Sequence, residues 1–292
     1  MNNIVSIVLA GGCSRRLYPI ATALKPKQFL NGSRLDALFK ENVDFACETS
    51  KTTILISASR YRNNVLMPLN HAQRSTIQFI FEPCMRNTLS ATALGAMMAR
   101  EKFNDPIIFI TPADLIYQNK QDMLRAISEI ASKHEDSNIT FFHDAHSVEN
   151  KSFYGPFLCR ASKVLSLIKS AHDNNFAQLI KSLKNGHVRQ NELNISYEDY
   201  SSVADLEFKK EILQSNLNIQ NHIINSRIFD LNTVEDFFNL HENDGQIELD
   251  KEMKNIDVKS FNQFSQDYFI ATSESGKFLR RKTARQTILE EA

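Results

Sequence analysis

At 292 residues with an apolar share of 42%, the chain is long enough for one sizeable globular domain, or a domain with a small appendage. Its 34 lysines and arginines balance 34 acidic residues, so no global field favours nucleic acid or an anionic membrane, and any anion site has to be local. Four widely spaced cysteines (Cys13, Cys47, Cys84, Cys159) with no C-x-x-C pair argue against a zinc site or disulfide framework and point to a reducing, cytoplasmic setting.

The start, MNNIVSIVLAGG, has no basic leader and only a short apolar run, so neither a secretory signal nor a membrane span is expected. IVSIVLA (4–10) reads as a strand, RLDALFKENVDFAC (34–47) as a helix, and TTILIS (52–57) and IQFIF (77–81) as strands. TLSATALGAMMAR (88–100) reads as a helix packed on a sheet, PIIFITPAD (106–114) as a strand running into a loop, and QDMLRAISEIASK (121–133) as a helix. This alternation predicts an α/β fold: a Rossmann-like mixed, mostly parallel sheet with helices on both faces. The strands 4–10 and 106–113 are apolar nearly throughout, as strands covered on both sides should be. Further on, 161–172 and 174–186 read as amphipathic helices, 217–231 as extended, and 232–242 as a helix capped by Asn232 or Thr233. The closing stretch, GKFLRRKTARQTILEEA, a basic cluster followed by acids, reads as a solvated or frayed terminus, with a binding patch as the alternative.

Ligands of such sheets bind beyond the carboxyl ends of the strands. Two chemistry-bearing stretches fall there, after Ala10 and after Thr111. In LAGGCSRRLYPIATALKPKQF (9–29), Gly11 and Gly12 allow a ligand close to the backbone N–H groups because they carry no Cβ and tolerate positive φ. Arg15, Arg16, Lys25 and Lys27 add cations, and the first acidic residue of the chain is Asp36. A polyphosphate suits that arrangement; a tight turn with exposed basic residues is the plainer alternative. The stretch has neither the G-x-G-x-x-G of a dinucleotide fold nor the G-K-[ST] of a P-loop.

The same stretch resembles the signature loop of sugar-nucleotide pyrophosphorylases, and its ending PKQFL resembles in particular the mannose-1-phosphate guanylyltransferase (GDP-mannose pyrophosphorylase) family. EPCMRNTLSATALGA (82–96) is similar to that family's E-P-x-x-R-N-T-A-P-A-I-A segment, and TPADLI (111–116) to its P-A-D-H-x-I segment. The resemblance implies transfer of a guanylyl group from GTP to mannose 1-phosphate, giving GDP-mannose and pyrophosphate, with Mg²⁺ as cofactor. It assigns Arg16 and Lys27 to the triphosphate as catalytic cations, Gly11 and Gly12 to backbone contacts, and Glu82, Arg86, Asn87 and Thr88 to the nucleotide. Asp114 becomes a metal ligand, and IFDLNTVEDF (228–237), matched loosely to W-S-D-V-G-S-W, makes Asp230 the second. Plainer roles stand beside these: helix capping for Asn87 or Thr88, a turn for Asp114, a helix-flanking aspartate for Asp230.

Departures from the family pattern are Ser14 and Arg15 in place of Gly-Thr, Leu89-Ser90 in place of Ala-Pro, and Leu115 in place of the histidine after the metal aspartate. YGPFLCRASKVLSLIKSA (154–171) resembles the N-S-G-M-F-x-F-R-A segment yet follows Asp114 too soon, and the G-Y-G-Y-I and F-x-E-K-P segments between them are not recognisable. The expected organisation is a nucleotidyltransferase domain over 1–244, shortened between about 116 and 153, and a C-terminal appendage over 245–292. The partners implied are GTP and a sugar 1-phosphate, with no nucleic acid and no membrane, and self-association as a homo-oligomer is left open. The competing readings are an active guanylyltransferase, a GTP-binding but catalytically impaired homologue, and a structural or regulatory partner of an active one.

Overall fold

The computed structural model describes residues 4–12, 14, 17, 21–30, 38–133, 138–144 and 155–230, and the backbone of 258–263, 268–273, 276–281 and 288–291. Arg16, the helix expected over 232–242 and the boundary expected at 244/245 lie outside the described residues. By contacts the chain divides into two compact units: Met1–Gly12 with Lys40–Phe229, and Cys13–Phe39 with Asp230–Ala292.

The strands are β1 (Ile4–Leu9), β2 (Thr52–Ala58), β3 (Gln78–Glu82), β4 (Ile107–Pro112), β5 (Leu115–Tyr117), β6 (Asn138–Asp144), β7 (Phe157–Arg160), β8 (His187–Arg189), β9 (Glu192–Asn194), β10 (Asn218–Ile224) and β11 (Ile228–Asp230); β12 (Val258–Gln263), β13 (Tyr268–Ser273), β14 (Gly276–Arg281) and β15 (Ile288–Glu291) follow. The helices are α1 (Leu38–Thr49), α2 (Arg62–Leu66), α3 (His71–Thr76), α4 (Asn87–Lys102), α5 (Lys120–Ser132), α6 (Ala161–Ala171), α7 (Asp173–Asn185), α8 (Tyr197–Tyr200) and α9 (Phe208–Leu213). Among the described residues no helix is long and apolar enough to cross a membrane.

The first unit is built on a nine-stranded sheet in the order β10-β6-β7-β4-β1-β2-β3-β9-β8. β1 pairs in parallel with β2 and β4, β2 with β3, β3 with β9, and β10 with β6. β7 runs antiparallel between β4 and β6, and β8 antiparallel to β9, so the sheet is mixed and mostly parallel as its sequence implied. Period-2 alternation sends side chains to two cores. Val5, Ile7, Ile54, Ile56, Ile108 and Ile110 pack with α4 and α6 on one face. Ile107, Phe109, Phe142 and Leu158 pack with Phe45 and the α5 residues Met123 and Ile127 on the other. Each such side chain, fully buried, contributes about 1.5–3 kcal/mol.

Helix α4 lies deep in this arrangement: Leu89, Ala93, Leu94, Ala96 and Ala99 are fully buried, so it carries small apolar residues nearly all round. Where it crosses β1 and β2 it carries Gly95. A Cβ at that position would stand 2.9 Å from Ile7 Cγ2 and 3.0 Å from Ile56 Cδ1.

In the second unit the C-terminal segment, expected as a solvated or frayed terminus, carries strands. Its backbone forms a four-stranded antiparallel sheet, β12-β13-β14-β15, in which Ser273 pairs with Gly276.

Gly95→Ala tests the close crossing. Helix propensity alone would stabilise the variant by about 1 kcal/mol, but overpacking costs about 1–3 kcal/mol. A net loss of stability is therefore expected in urea unfolding; a gain would show that α4 has room to move off the sheet.

Candidate nucleotide site

Register places the first group of residues. Leu9 at the end of β1 is paired with Pro112 at the end of β4, and Ala113 N donates to Leu9 O at 2.9 Å. Gly11 and Asp114 each follow two residues later, so they leave neighbouring strands at the same carboxyl edge. Ala10 is held by its N–H to Ile56 O at 2.8 Å and by Ser57 Oγ, which donates to its carbonyl at 2.9 Å. Neither Gly11 nor Gly12 has φ in the left-handed region. Gly12 is exposed, and no described atom lies within 4 Å of where its Cβ would sit, so the fold itself does not require a glycine there.

Asp114 is half-buried, and the loop that carries it is clamped from below by Asn42 of α1. The Asn42 amide donates to Ala113 O at 3.3 Å and to Leu115 O at 2.8 Å, fixing both neighbours of the aspartate. Asn42 is 2% exposed and was legible only as a polar residue on an otherwise apolar helix stripe. Tyr117 and Thr111 share a buried hydrogen bond of 2.7 Å. Burial, and then the charge of Asp114, push the Tyr117 phenol upward and keep it protonated.

Glu82, at the end of β3, is the most perturbed acid here. It is 4% exposed, accepts a hydrogen bond from the Tyr200 hydroxyl on one oxygen, and has its other oxygen 3.6 Å from where a Cβ on Gly11 would be. Burial raises its carboxyl to about 7, with the Tyr200 bond pulling weakly the other way. Nothing in the sequence singled out Tyr200, which lies 118 residues from Glu82.

The rest of the 82–88 loop is engaged with the segment that carries Tyr200. Arg86 donates through its guanidinium to Ser201 O, while its Nε is buried without a hydrogen-bond partner. Asn87 sits at φ 61°, and its side chain accepts from Thr88 N at 2.9 Å, satisfying one donor of the first turn of α4. Thr88 Oγ1 accepts from Phe208 N at 3.0 Å. All four polar residues of this motif, Glu82 included, thus bind the protein's own chain.

The second unit holds Lys27 and Asp230. Lys27 opens a 3-10 turn over Lys27–Phe29 whose three residues are buried. Its Nζ is 2.7 Å from Asp230 Oδ1. Its backbone N–H donates to Ser14 Oγ at 2.9 Å, and Ser14 itself has φ 53°. Positive φ, expected of the glycines, thus falls on a serine standing where the resembled family has glycine.

Mg²⁺ takes hard oxygen donors, commonly one or two carboxylates, with phosphates and waters completing its shell. Asp114 and Asp230 are each a donor of that kind, and each by its chemistry fits such an ion. Among the described residues no three of His, Cys, Asp and Glu cluster as an all-protein metal site would need.

Residues 5–164 match the family described as Nucleotidyl transferase. The alginate biosynthesis protein AlgA of Pseudomonas aeruginosa is 26% identical over 140 residues, 48% of this chain and 29% of that protein. The mannose-1-phosphate guanylyltransferase of Escherichia coli is 27% identical over 135 residues, 44% of this chain and 28% of that protein. The chain therefore spans less than a third of the length of these curated relatives. Among solved structures, the mannose-6-phosphate isomerase from Helicobacter pylori superposes with a TM-score of 0.64 at 16% identity, over 78% of this chain and all of that one, a likeness of fold.

Two substitutions test the local physics. Glu82 would ionise near 4.5 when unfolded and near 7 when folded, so folding takes up a proton between these values. The stability it contributes is whole below about pH 4.5 and is lost as pH rises through 7. Glu82→Gln should therefore melt about 5 °C higher than the native chain at pH 8 and no higher at pH 4; a gap independent of pH would remove the buried charge as its cause. For Ser14, alanine loses the bond to Lys27 N–H and keeps the left-handed strain, whereas glycine loses the bond and relieves the strain. Chemical unfolding should find Ser14→Ala less stable than Ser14→Gly by about 1 kcal/mol, and the reverse order would mean that φ 53° is not strained.

Proposed function

The chain belongs to the nucleotidyl transferase family, and from that premise we propose that it transfers a guanylyl group from GTP to mannose 1-phosphate, forming GDP-mannose and pyrophosphate. The observation that carries this reading is the carboxyl edge of the first unit, where register sets Gly11, Gly12 and Asp114 at neighbouring strand ends and Glu82 lies beneath the glycine turn. The similarity to the Escherichia coli mannose-1-phosphate guanylyltransferase supports the choice of substrates.

In the proposed reaction a phosphate oxygen of the sugar 1-phosphate attacks the α-phosphorus of GTP in line. A new P–O bond forms, the bond to the β-phosphate bridge breaks, and pyrophosphate leaves with its charge. A phosphate monoester is largely dianionic near neutrality, its second pKa being about 6, so no strong base is called for and catalysis is positioning plus charge neutralisation. Gly12, without a Cβ, lets the polyphosphate reach backbone N–H groups. Lys27, and Arg16 by resemblance, neutralise triphosphate charge. The resemblance assigns Asp114 and, separately, Asp230 as carboxylate donors for Mg²⁺, which when bound would supply further neutralisation and orientation. Glu82, once ionised, is an acceptor only and suits the N1–H and N2–H donors of a guanine edge, which adenine lacks. Arg86, Asn87 and Thr88 shape that pocket chiefly by holding the loop.

A second reading rests on a specific feature. β6 ends at Asp144 and β7 begins at Phe157, so twelve residues join two neighbouring antiparallel strands. The acceptor segments of the resembled family would belong before the strand at Phe157, and they are not recognisable in this sequence. A chain that keeps the nucleotide half-site while losing acceptor contacts would bind GTP and turn over slowly.

The deciding experiment is pyrophosphate release from the purified chain with Mg²⁺, each nucleoside triphosphate in turn and a panel of sugar 1-phosphates. GTP with mannose 1-phosphate should give the fastest release, and Asp114→Ala should cut it by about a hundredfold or more. GTP binding by calorimetry without release from any sugar would establish the impaired reading, and no binding of any nucleotide would sink both.

A further inference from the structure

The ion pair between Lys27 and Asp230 bears on how the triphosphate gains its lysine. Nζ and Oδ1 are 2.7 Å apart, with the lysine side chain 10% exposed and the aspartate 27%. The backbone of Lys27 is fixed by the bond to Ser14 Oγ and by the buried turn that follows. Its ammonium can therefore be re-aimed by side-chain rotation alone. A carboxylate at this distance gives the ammonium the same charge-assisted partner that a phosphate oxygen would. Asp230 and an incoming phosphate are thus rivals for one cation.

We propose that Asp230 is a built-in stand-in for the nucleotide's phosphate, holding Lys27 until the triphosphate displaces it, and that a divalent cation promotes the exchange by taking up the released carboxylate. The inference rests on the reading of Lys27 as a triphosphate ligand. A phosphate arriving without metal meets a lysine already neutralised and a second anion beside it, an arrangement that weakens binding by both desolvation and like-charge repulsion. With a divalent cation present, Asp230 gains a new partner as Lys27 turns to the phosphate, so neither charge is left uncompensated. Metal and nucleotide then bind with positive coupling, and linkage requires that each tighten the other by the same factor. Asp230 acts in this scheme as a positioning residue for Lys27 as well as a metal donor.

The test is calorimetric and needs no turnover. GTP is titrated in the presence of EDTA and again with Mg²⁺ into the native chain, Asp230→Asn, Lys27→Met and the double variant, each first shown by thermal melting to be folded; Asp230→Ala replaces Asp230→Asn where the latter does not fold. Asp230→Asn should bind metal-free GTP about tenfold more tightly than the native chain. That gain should vanish in the Lys27→Met background, and the enhancement by Mg²⁺ should shrink once Asp230 is replaced. An unchanged metal-free affinity for Asp230→Asn overturns the proposal. So does an equal gain with and without Lys27, because Asp230 would then merely repel phosphate. Failure of the underlying reading has a different signature: no GTP binding by the native chain under either condition, or a Mg²⁺-GTP affinity untouched by Lys27→Met.

Discussion

The parallel pairing of β1 with β4 is the constraint on which the candidate site depends. Both strands are covered on both faces, so their register is set by the packing of Val5, Ile7, Ile108 and Ile110 against α4 and of Ile107 and Phe109 against the opposite layer. A slip of one residue would turn every one of these side chains to the wrong core. With the register fixed, Gly11 and Asp114 leave the sheet side by side whatever their own sequence neighbours are. Asn42 then fixes the aspartate's loop from the helix layer beneath. Positional accuracy at the edge is thus inherited from apolar packing in the interior.

Charge is distributed differently in the two units. In the first, Glu82 is an acid whose ionisation is opposed by burial, so its proton is retained until about pH 7, and a hydrogen-bond donor that suits the ionised form would draw the proton off. In the second, Lys27 and Asp230 are both engaged, by each other. Each group is held in a condition that a suitable partner would change, and each has its backbone fixed by neighbours. That combination separates them from the exposed pairs elsewhere, such as Lys133 with Glu129, which contribute little.

Much of the first unit could be read from the chain itself. The strands covered on both faces announced themselves as unbroken apolar runs, and the glycine pair and the Thr-Pro-Ala-Asp stretch announced the edge because each follows such a run. What escaped reading was long-range. Tyr200 reaches Glu82 across 118 positions and is one tyrosine among several. The use of Arg86 and Thr88 as clamps on residues 201–208 follows from how that segment returns over α4. Positive φ at Ser14 was not legible because its hydrogen bond to Lys27 depends on the path of the intervening chain. The C-terminal sheet was missed because its strands mix polar and apolar residues evenly, a pattern as easily read as solvated chain.

The central place of β1 also bears on synthesis. It leaves the ribosome before either of its neighbours, which are supplied by residues 52–58 and 107–112. At roughly 5–20 residues per second, β4 follows β1 only after about 5–20 s. Through that interval this buried, apolar strand has one sheet edge without its eventual neighbour. The central position that gives β1 two parallel neighbours in the finished sheet therefore makes earlier intermediates adhesive, and places the hazard of aggregation in the interval before β4 emerges.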